Sequence, residues 1–393
     1  MKSKVVPFIK KYTMVIALVI VFILFTYLTD GRLILAQNLS NLLLQNGYVL
    51  VLACGMLLCI LTGGNVDLSV GATVCLVGAV SAQLLAVTSL PAIIVIVICL
   101  LVGLLIGVYQ GWFIGYVHIP PFICTLSGMF LFRGIGRVIL DSKTVSISQS
   151  DGTTGATFLK IFTSYIHFPG EENGHYTSAL IIGIIIAAAI LAWFFYGRVS
   201  RSKKGYKQPP MAPALAKMIV LAALVVIYCY KLSQYKGIPV MAIWVIAVIA
   251  IYAFITSKTA TGRYFYAVGG NEKATKLSGI NTKKVYFLAY ASMSLLAGLS
   301  GLLMAARIGS VNGDTGTSFE MDAIGSCFIG GASAYGGSGT VAGIMVGAIL
   351  LGVINQGMSI MGLDNNWQYI VKGAVLLIAV IFDVVSNHKT GKS

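Results

Sequence analysis

The sequence predicts an all-α polytopic membrane protein with about 10–12 membrane-spanning helices, some of them broken or short. Three observations predict it. Of the 393 residues, 58% are hydrophobic and only 10% are charged, and mean hydropathy is +0.90. A soluble domain carries roughly 25% charged residues, so lipid must be the solvent for most of this surface. Apolar runs of near-spanning length recur along the whole chain. The polar segments between those runs alternate in charge, as a multi-pass topology requires.

The spans follow in order. Lys2, Lys4, Lys10 and Lys11 precede an apolar run at 13–28. Tyr27-Leu28-Thr29-Asp30 is a poor cleavage site, so this run reads as a retained first span with its basic end inside, not as a signal peptide. Further runs lie at 42–61 and 68–88, joined by a tight polar break, then at 92–115, 120–140, 178–197, 214–232, 238–256, 285–306, 321–333, 341–360 and 367–386.

Charge tests the parity. Residues 141–177 hold Lys143 and Lys160 against Asp141, Asp151, Glu171 and Glu172, a net of −2, and are placed outside. Residues 198–213 hold Arg198, Arg201, Lys203, Lys204 and Lys207 with no acid, and are placed inside. Residues 257–284 hold six basic residues against Glu272, a net of +5, and are also inside. The tail, with Lys389 and Lys392, falls inside if 321–333 crosses, so a crossing is expected there and both termini are expected to be cytoplasmic. The external loop at 141–177 should carry short structure, with a turn signal at 169–174. No soluble domain is visible, and the chain reads as a single membrane domain over 1–393.

Several function classes are excluded. The net charge of +15 sits in loops between spans and forms no clustered nucleic-acid-binding face. The seven cysteines lie in apolar runs without a C-x-x-C pair, and the four histidines are scattered, so neither disulfide nor metal is expected. No Gly-x-x-x-x-Gly-Lys-Ser/Thr exists, because Ser386 stands where the terminal Gly391-Lys392-Ser393 would need its first glycine. No nucleophile elbow or other catalytic constellation appears, so no catalytic residue and no ATP site are expected in this chain.

Some residues ask for a role. Gly103, Gly107, Gly111 and Gly115 recur every four residues and form a ridge for close helix packing, within the chain or between subunits. Asp67, with Asn65 and Ser69 beside it, lies at the polar break. It either lines a polar path or caps the next helix. Asn355 and Gln356 are neutral polar residues inside an apolar span, and such groups suit a polyhydroxyl substrate. Glu320 and Asp322 open the tenth span, where acids favour a helix N-terminus. Arg133 and Arg137, one turn apart near the outer end of the fifth span, are placed to snorkel. Cys59 through Gly64 echoes Cys327 through Gly331, and broken segments at matching places in two halves point to a transport pathway between them. Within the basic segment, Gly269 through Gly279 reads as a short helix flanked by glycines, a surface another protein could grip.

Five motifs carry a resemblance. They are Gly64-Asn65-Val66-Asp67-Leu68-Ser69-Val70-Gly71, Pro121 through Met129 with Arg133-Gly134, Ala267 through Ala274 with Leu277 through Asn281, Ile329-Gly330-Gly331, and Trp367 through Gly373. Together and in this order they resemble the membrane permease subunit of bacterial monosaccharide ABC importers, nearest to xylose-type or multiple-monosaccharide permeases. Val66 departs from the usual isoleucine, and the region around 198–236 is extra length relative to ribose-type permeases. The resemblance implies a homodimer in the bacterial inner membrane. It also implies a cytoplasmic ATPase that uses ATP and Mg, and a periplasmic or lipid-anchored sugar-binding protein. Gly269, Gly270, Asn271, Glu272, Lys276, Ser278 and Gly279 would then couple the permease to the ATPase. A permease for branched-chain amino acids and a stand-alone secondary carrier are the alternatives.

Overall fold

The computed structural model describes residues 2–147, 153–168, 170–171, 176–206 and 210–388. Its helices are α1 (Lys2–Leu28), α2 (Ala36–Leu61), α3 (Val70–Val87), α4 (Ala92–Gly115), α5 (Pro121–Ile139), α6 (Thr153–Thr163), α7 (Thr177–Lys203), α8 (Met211–Ser233), α9 (Met241–Lys258), α10 (Ala260–Gly270), α11 (Glu272–Leu277), α12 (Thr282–Ile308), α13 (Phe319–Ile329), α14 (Val341–Ile360) and α15 (Asn365–His388). Among the described residues, nine helices are long and apolar enough to cross a membrane, and α1 and α15 add apolar stretches at Thr13–Leu28 and Asn366–Ile381. The helices end on two faces. One, the basic face, bears Arg198 to Lys204 and the α10–α11 segment; the opposite face bears residues 141–147 and 309–318.

The expected crossing helix at 321–333 is corrected. α13 has 11 residues and spans roughly 16 Å, about half a hydrocarbon layer. The chain nevertheless passes from one face to the other there. Residues 309–318 dip in from the opposite face as irregular backbone, α13 carries on, and residues 330–340 finish against the basic-face end of α2. Gly337 N donates to Leu61 O at 3.0 Å, and Tyr266 Oη of α10 donates to Gly339 O at 3.0 Å. The parity drawn from charge therefore needs no twelfth full-length helix. Irregular backbone at this depth is tolerated because protein surrounds it.

Two broken units face each other. α2, the break at 62–69 and α3 form one; α12, the break at 309–318 and α13 form the other. α2 and α12 run antiparallel, with Gly55 against Met293 and the Ser300 hydroxyl 3.5 Å from Tyr48 O. α4 packs on α12 as α14 packs on α2. The units cross where α3 and α13 begin: a β-carbon on Gly71 would lie 2.1 Å from Gly316 O, and one on Gly316 would lie 2.4 Å from Gly71 O. The sequence echo between Cys59–Gly64 and Cys327–Gly331 marks something else. Those are the ends of α2 and α13, which lie side by side, with the Cys327 thiol 3.5 Å from Ala53 O.

The glycine ridge explains the closest helix pair. β-carbons on Gly103, Gly107, Gly111 and Gly115 would lie 2.5–2.9 Å from the backbone of α12 at Ser294, Ala291, Phe287 and Lys283. Small residues let these two backbones meet.

The opposite face is capped by local structure. β1 (Val145–Ser146) pairs antiparallel with β4 (Ser310–Val311), and β2 (Tyr165–Ile166) with β3 (Ile238–Pro239). α6 buries Phe158 and Phe162 completely, and Trp244 Nε1 donates to Ile161 O at 3.1 Å. The turn expected at 169–174 lies mostly outside the described residues.

Candidate functional site

The basic-face segment is built by caps. Thr259 accepts from Gly262 N at 3.0 Å and starts α10 directly after α9. Asn271 ends α10 and caps α11, its Oδ1 accepting from Ala274 N at 2.9 Å. Gly279, at φ +82°, reverses the chain in the left-handed region, and Asn281 then caps α12 through Lys284 N at 3.1 Å.

The result is a wedge with an exposed tip. Phe265 and Val268 of α10 are buried. Gly269 lies so close that a β-carbon would meet Leu61 O at 1.8 Å and Gly337 N at 2.4 Å. Gly269 thus joins the end of α2 to the end of the α13 unit. A β-carbon on Gly270 would meet nothing within 4 Å, although Gly337 packs against its backbone. Thr275 is buried, its hydroxyl 2.8 Å from both Ala267 O and Asn271 O, and locks α11 onto α10. Glu272 accepts from Tyr286 Oη of α12 at 3.0 Å, and the Ser278 hydroxyl donates back to Ala274 O at 2.9 Å. Lys276 is exposed.

Leu277 is 90% exposed. It stands as an exposed apolar side chain at the tip of a short, capped helix. Sequence reasoning quoted Leu277 within a motif but did not single it out; the available signal was a leucine within a lysine-rich polar run.

The break at 62–69 carries a polar network. Asp67 is fully buried. Its Oδ1 accepts from Ser69 N at 2.8 Å and Ser69 Oγ at 2.7 Å, which is an Asx turn. It does not reach the first turn of α3, where Ser69 is the cap residue and makes no side-chain cap bond. Asp67 Oδ2 has no partner. Gln110 Nε2 of α4 donates to Ser69 Oγ at 2.7 Å, and Ser294 Oγ of α12 lies 3.4 Å from Gln110 Oε1. Asn65 is half-buried and donates to Thr62 O at 3.0 Å. The network thus ties the start of α3 to α4 and α12. Gln110, the key member, was missed; its signal was a lone amide in the most apolar run of the chain.

The break at 309–318 is held by α5. Arg133 Nη1 donates to Gly313 O and Thr317 Oγ1, both at 3.1 Å, and Arg137 pairs with Asp314 at 2.9 Å. These arginines, expected to snorkel, make their hydrogen bonds to the irregular segment. In the first turn of α13, Asp322 pairs with Lys372 of α15 and accepts from Tyr48 Oη at 3.0 Å, while Glu320 approaches Gly71. Beside this pair lies a polar cavity of about 270 Å³, lined by Gln45, Tyr48, Arg307, Asn355, Gln368 and Lys372, among others. Asn355 enters that lining with an unpaired Oδ1; Gln356 is buried, also with an unpaired oxygen, and does not line it. Among the described residues no group of His, Cys, Asp or Glu could hold a metal ion.

Residues 38–380 match the family described as branched-chain amino acid transport system / permease component. The chain belongs to this permease family. The permease is 35% identical over 379 residues to the xylose transport system permease protein of Escherichia coli, covering 96% of this chain and 93% of that one. It is also 35% identical over 380 residues to the xylose transport system permease protein of Haemophilus influenzae, covering 96% and 97%. The ribose import permease protein of Escherichia coli is 32% identical over 348 residues, covering 88% and 85%. No solved structure matches the permease.

Proposed function

We propose that the chain is the membrane permease subunit of an ATP-driven ABC importer that moves monosaccharides, xylose or several sugars, into the cytoplasm. The observation that carries this reading is the α10–α11 wedge. It presents Leu277 to a partner on the basic face, and at Gly269 it touches the ends of both broken units. A pull or push on α11 reaches the helices around the path without any nucleotide site in this chain. A separate cytoplasmic ATPase, using ATP and Mg, supplies that movement. The substrate class rests on the likeness to xylose and ribose permeases, and the neutral amides at Asn355 and Gln368 suit hydroxyl-rich cargo.

On this reading the whole of 1–393 is one permease domain. Two copies form the pathway in the bacterial inner membrane, with both termini on the cytoplasmic, basic side. A periplasmic or lipid-anchored binding protein docks on the capped outer face. Asn65, Asp67, Ser69, Asn355 and Gln356 are assigned to the path or its supports, and Gly269 through Gly279 to coupling.

Uptake of labelled xylose, glucose, galactose, ribose and arabinose tests the proposal, in cells with and without this chain and with its ATPase and binding protein supplied. Sugar uptake that needs both the chain and the ATPase is expected. Uptake of leucine or valine instead would favour the branched-chain amino acid reading that the family description suggests. Sugar uptake without the ATPase would make it a secondary carrier.

A further inference from the structure

α7 and α8 form a hairpin apart from the core. Their main packing is with each other, Gly183 against Cys229, and only 22% and 11% of their apolar windows are buried. Ile184, Ile185, Val220 and Leu224 are exposed on their outer sides, the surface of helices solvated by lipid.

The basic end of the hairpin joins acid-free cations to exposed aromatic side chains. Between Arg198 and Lys217 the sequence has six basic residues and no acid. Arg201, Lys203 and Lys204 are exposed, and among the described residues no salt bridge occupies them. Two clefts, of about 610 and 550 Å³, flank the turn. One is lined by Phe195, Arg198, Tyr206 and Met211; the other runs from Trp193, Tyr196 and Met218 up to Arg201 and Lys204. Each joins exposed apolar or aromatic side chains to cations, and no acid lines either.

We infer that this hairpin end is a binding site for an anionic phospholipid. The Arg201 and Lys204 cations take the headgroup phosphate, and the Trp193–Met218 cleft takes the upper acyl chain. Cations beside a span attract anionic headgroups, and aromatic rings sit at the headgroup level. The basic segment at 257–284 lacks this combination: it includes Glu272, is wedged into the core, and offers an apolar tip. The inference does not depend on the cargo proposed above.

The full-length permease with Trp112, Trp244 and Trp367 each changed to Phe keeps Trp193 as its reporter. It is reconstituted in phosphatidylcholine bilayers containing acyl-brominated phosphatidylglycerol or, separately, acyl-brominated phosphatidylcholine. Trp193 fluorescence should be quenched by the anionic lipid at a mole fraction lower by roughly tenfold. That preference should disappear in R201Q/K203Q/K204Q and persist in K273Q/K276Q, which removes charge elsewhere on the same face. A second reporter keeps only Trp112, at the basic end of α4, and should show no preference. Equal quenching of Trp193 by both lipids would overturn the inference. So would a preference that survives R201Q/K203Q/K204Q, or one equally strong at Trp112.

Discussion

Lys372 Nζ lies 2.8 Å from Asp322 Oδ1, with side chains only 17% and 2% exposed, and so joins α15 to the short helix α13. Tyr48 of α2 donates to the same carboxylate. Removing one partner of a buried pair leaves an uncompensated charge, a loss of about 3–5 kcal/mol. Lys372→Met should lower the unfolding midpoint of the purified permease clearly, and the double change with Asp322→Leu should recover most of it. A single variant as stable as wild type would show that water reaches the carboxylate.

The α4–α12 contact leaves no room for a side chain. A β-carbon on Gly107 would sit 2.7 Å from Ala291 Cα and 2.8 Å from Ala291 O. Backbone atoms cannot rotate away, so Gly107→Ala should destabilise by about 1–3 kcal/mol through overpacking. Gly134→Ala on α5, where no atom lies within 4 Å of the added carbon, should be neutral or stabilising by up to about 1 kcal/mol. Thermal denaturation of the two variants side by side checks the contrast; equal midpoints would mean that the helices separate without penalty.

Leu277 touches nothing that the fold needs. Leu277→Asp should leave the denaturation midpoint within about 0.5 kcal/mol of wild type while abolishing uptake and co-purification of the ATPase. Retained co-purification would remove Leu277 from the coupling interface.

Glu171, beside the start of α7, gives a pH signature. Desolvation by burial pushes its carboxyl up, but hydrogen bonds from the Ser178 and Thr177 hydroxyls and the Ser178 and Phe168 amides outweigh it and bring it down from 4.5 to about 2. The folded protein therefore favours the carboxylate. Its contribution is complete above the unfolded value and fades as pH falls from there toward about 2. Glu171→Gln should be less stable than wild type at neutral pH, and the gap should narrow below pH about 4.5. A pH-independent gap would mean that the lost contacts do not depend on charge.

The sequence by itself determined the membrane class, the placement of most spans, the charge asymmetry of the two faces and the motifs of the family. These follow from composition and local order, because lipid selects apolar runs and basic loops regardless of what packs against what. It also marked the glycine ridge, the glycine-flanked short helix between Gly269 and Gly279, and the break at Asp67. Only the tertiary structure decided which neighbour each feature meets. The ridge faces α12 because that helix brings its backbone at Lys283, Phe287, Ala291 and Ser294 against the four glycines. The 321–333 run reads as a span by apolarity, yet it became a half-length helix because dipping backbone on either side of it supplies the rest of the crossing. Gln110, Leu277 and the Lys372–Asp322 pair owe their roles to contacts between elements distant in sequence, or, for Leu277, to the lack of one. No local pattern encodes such contacts.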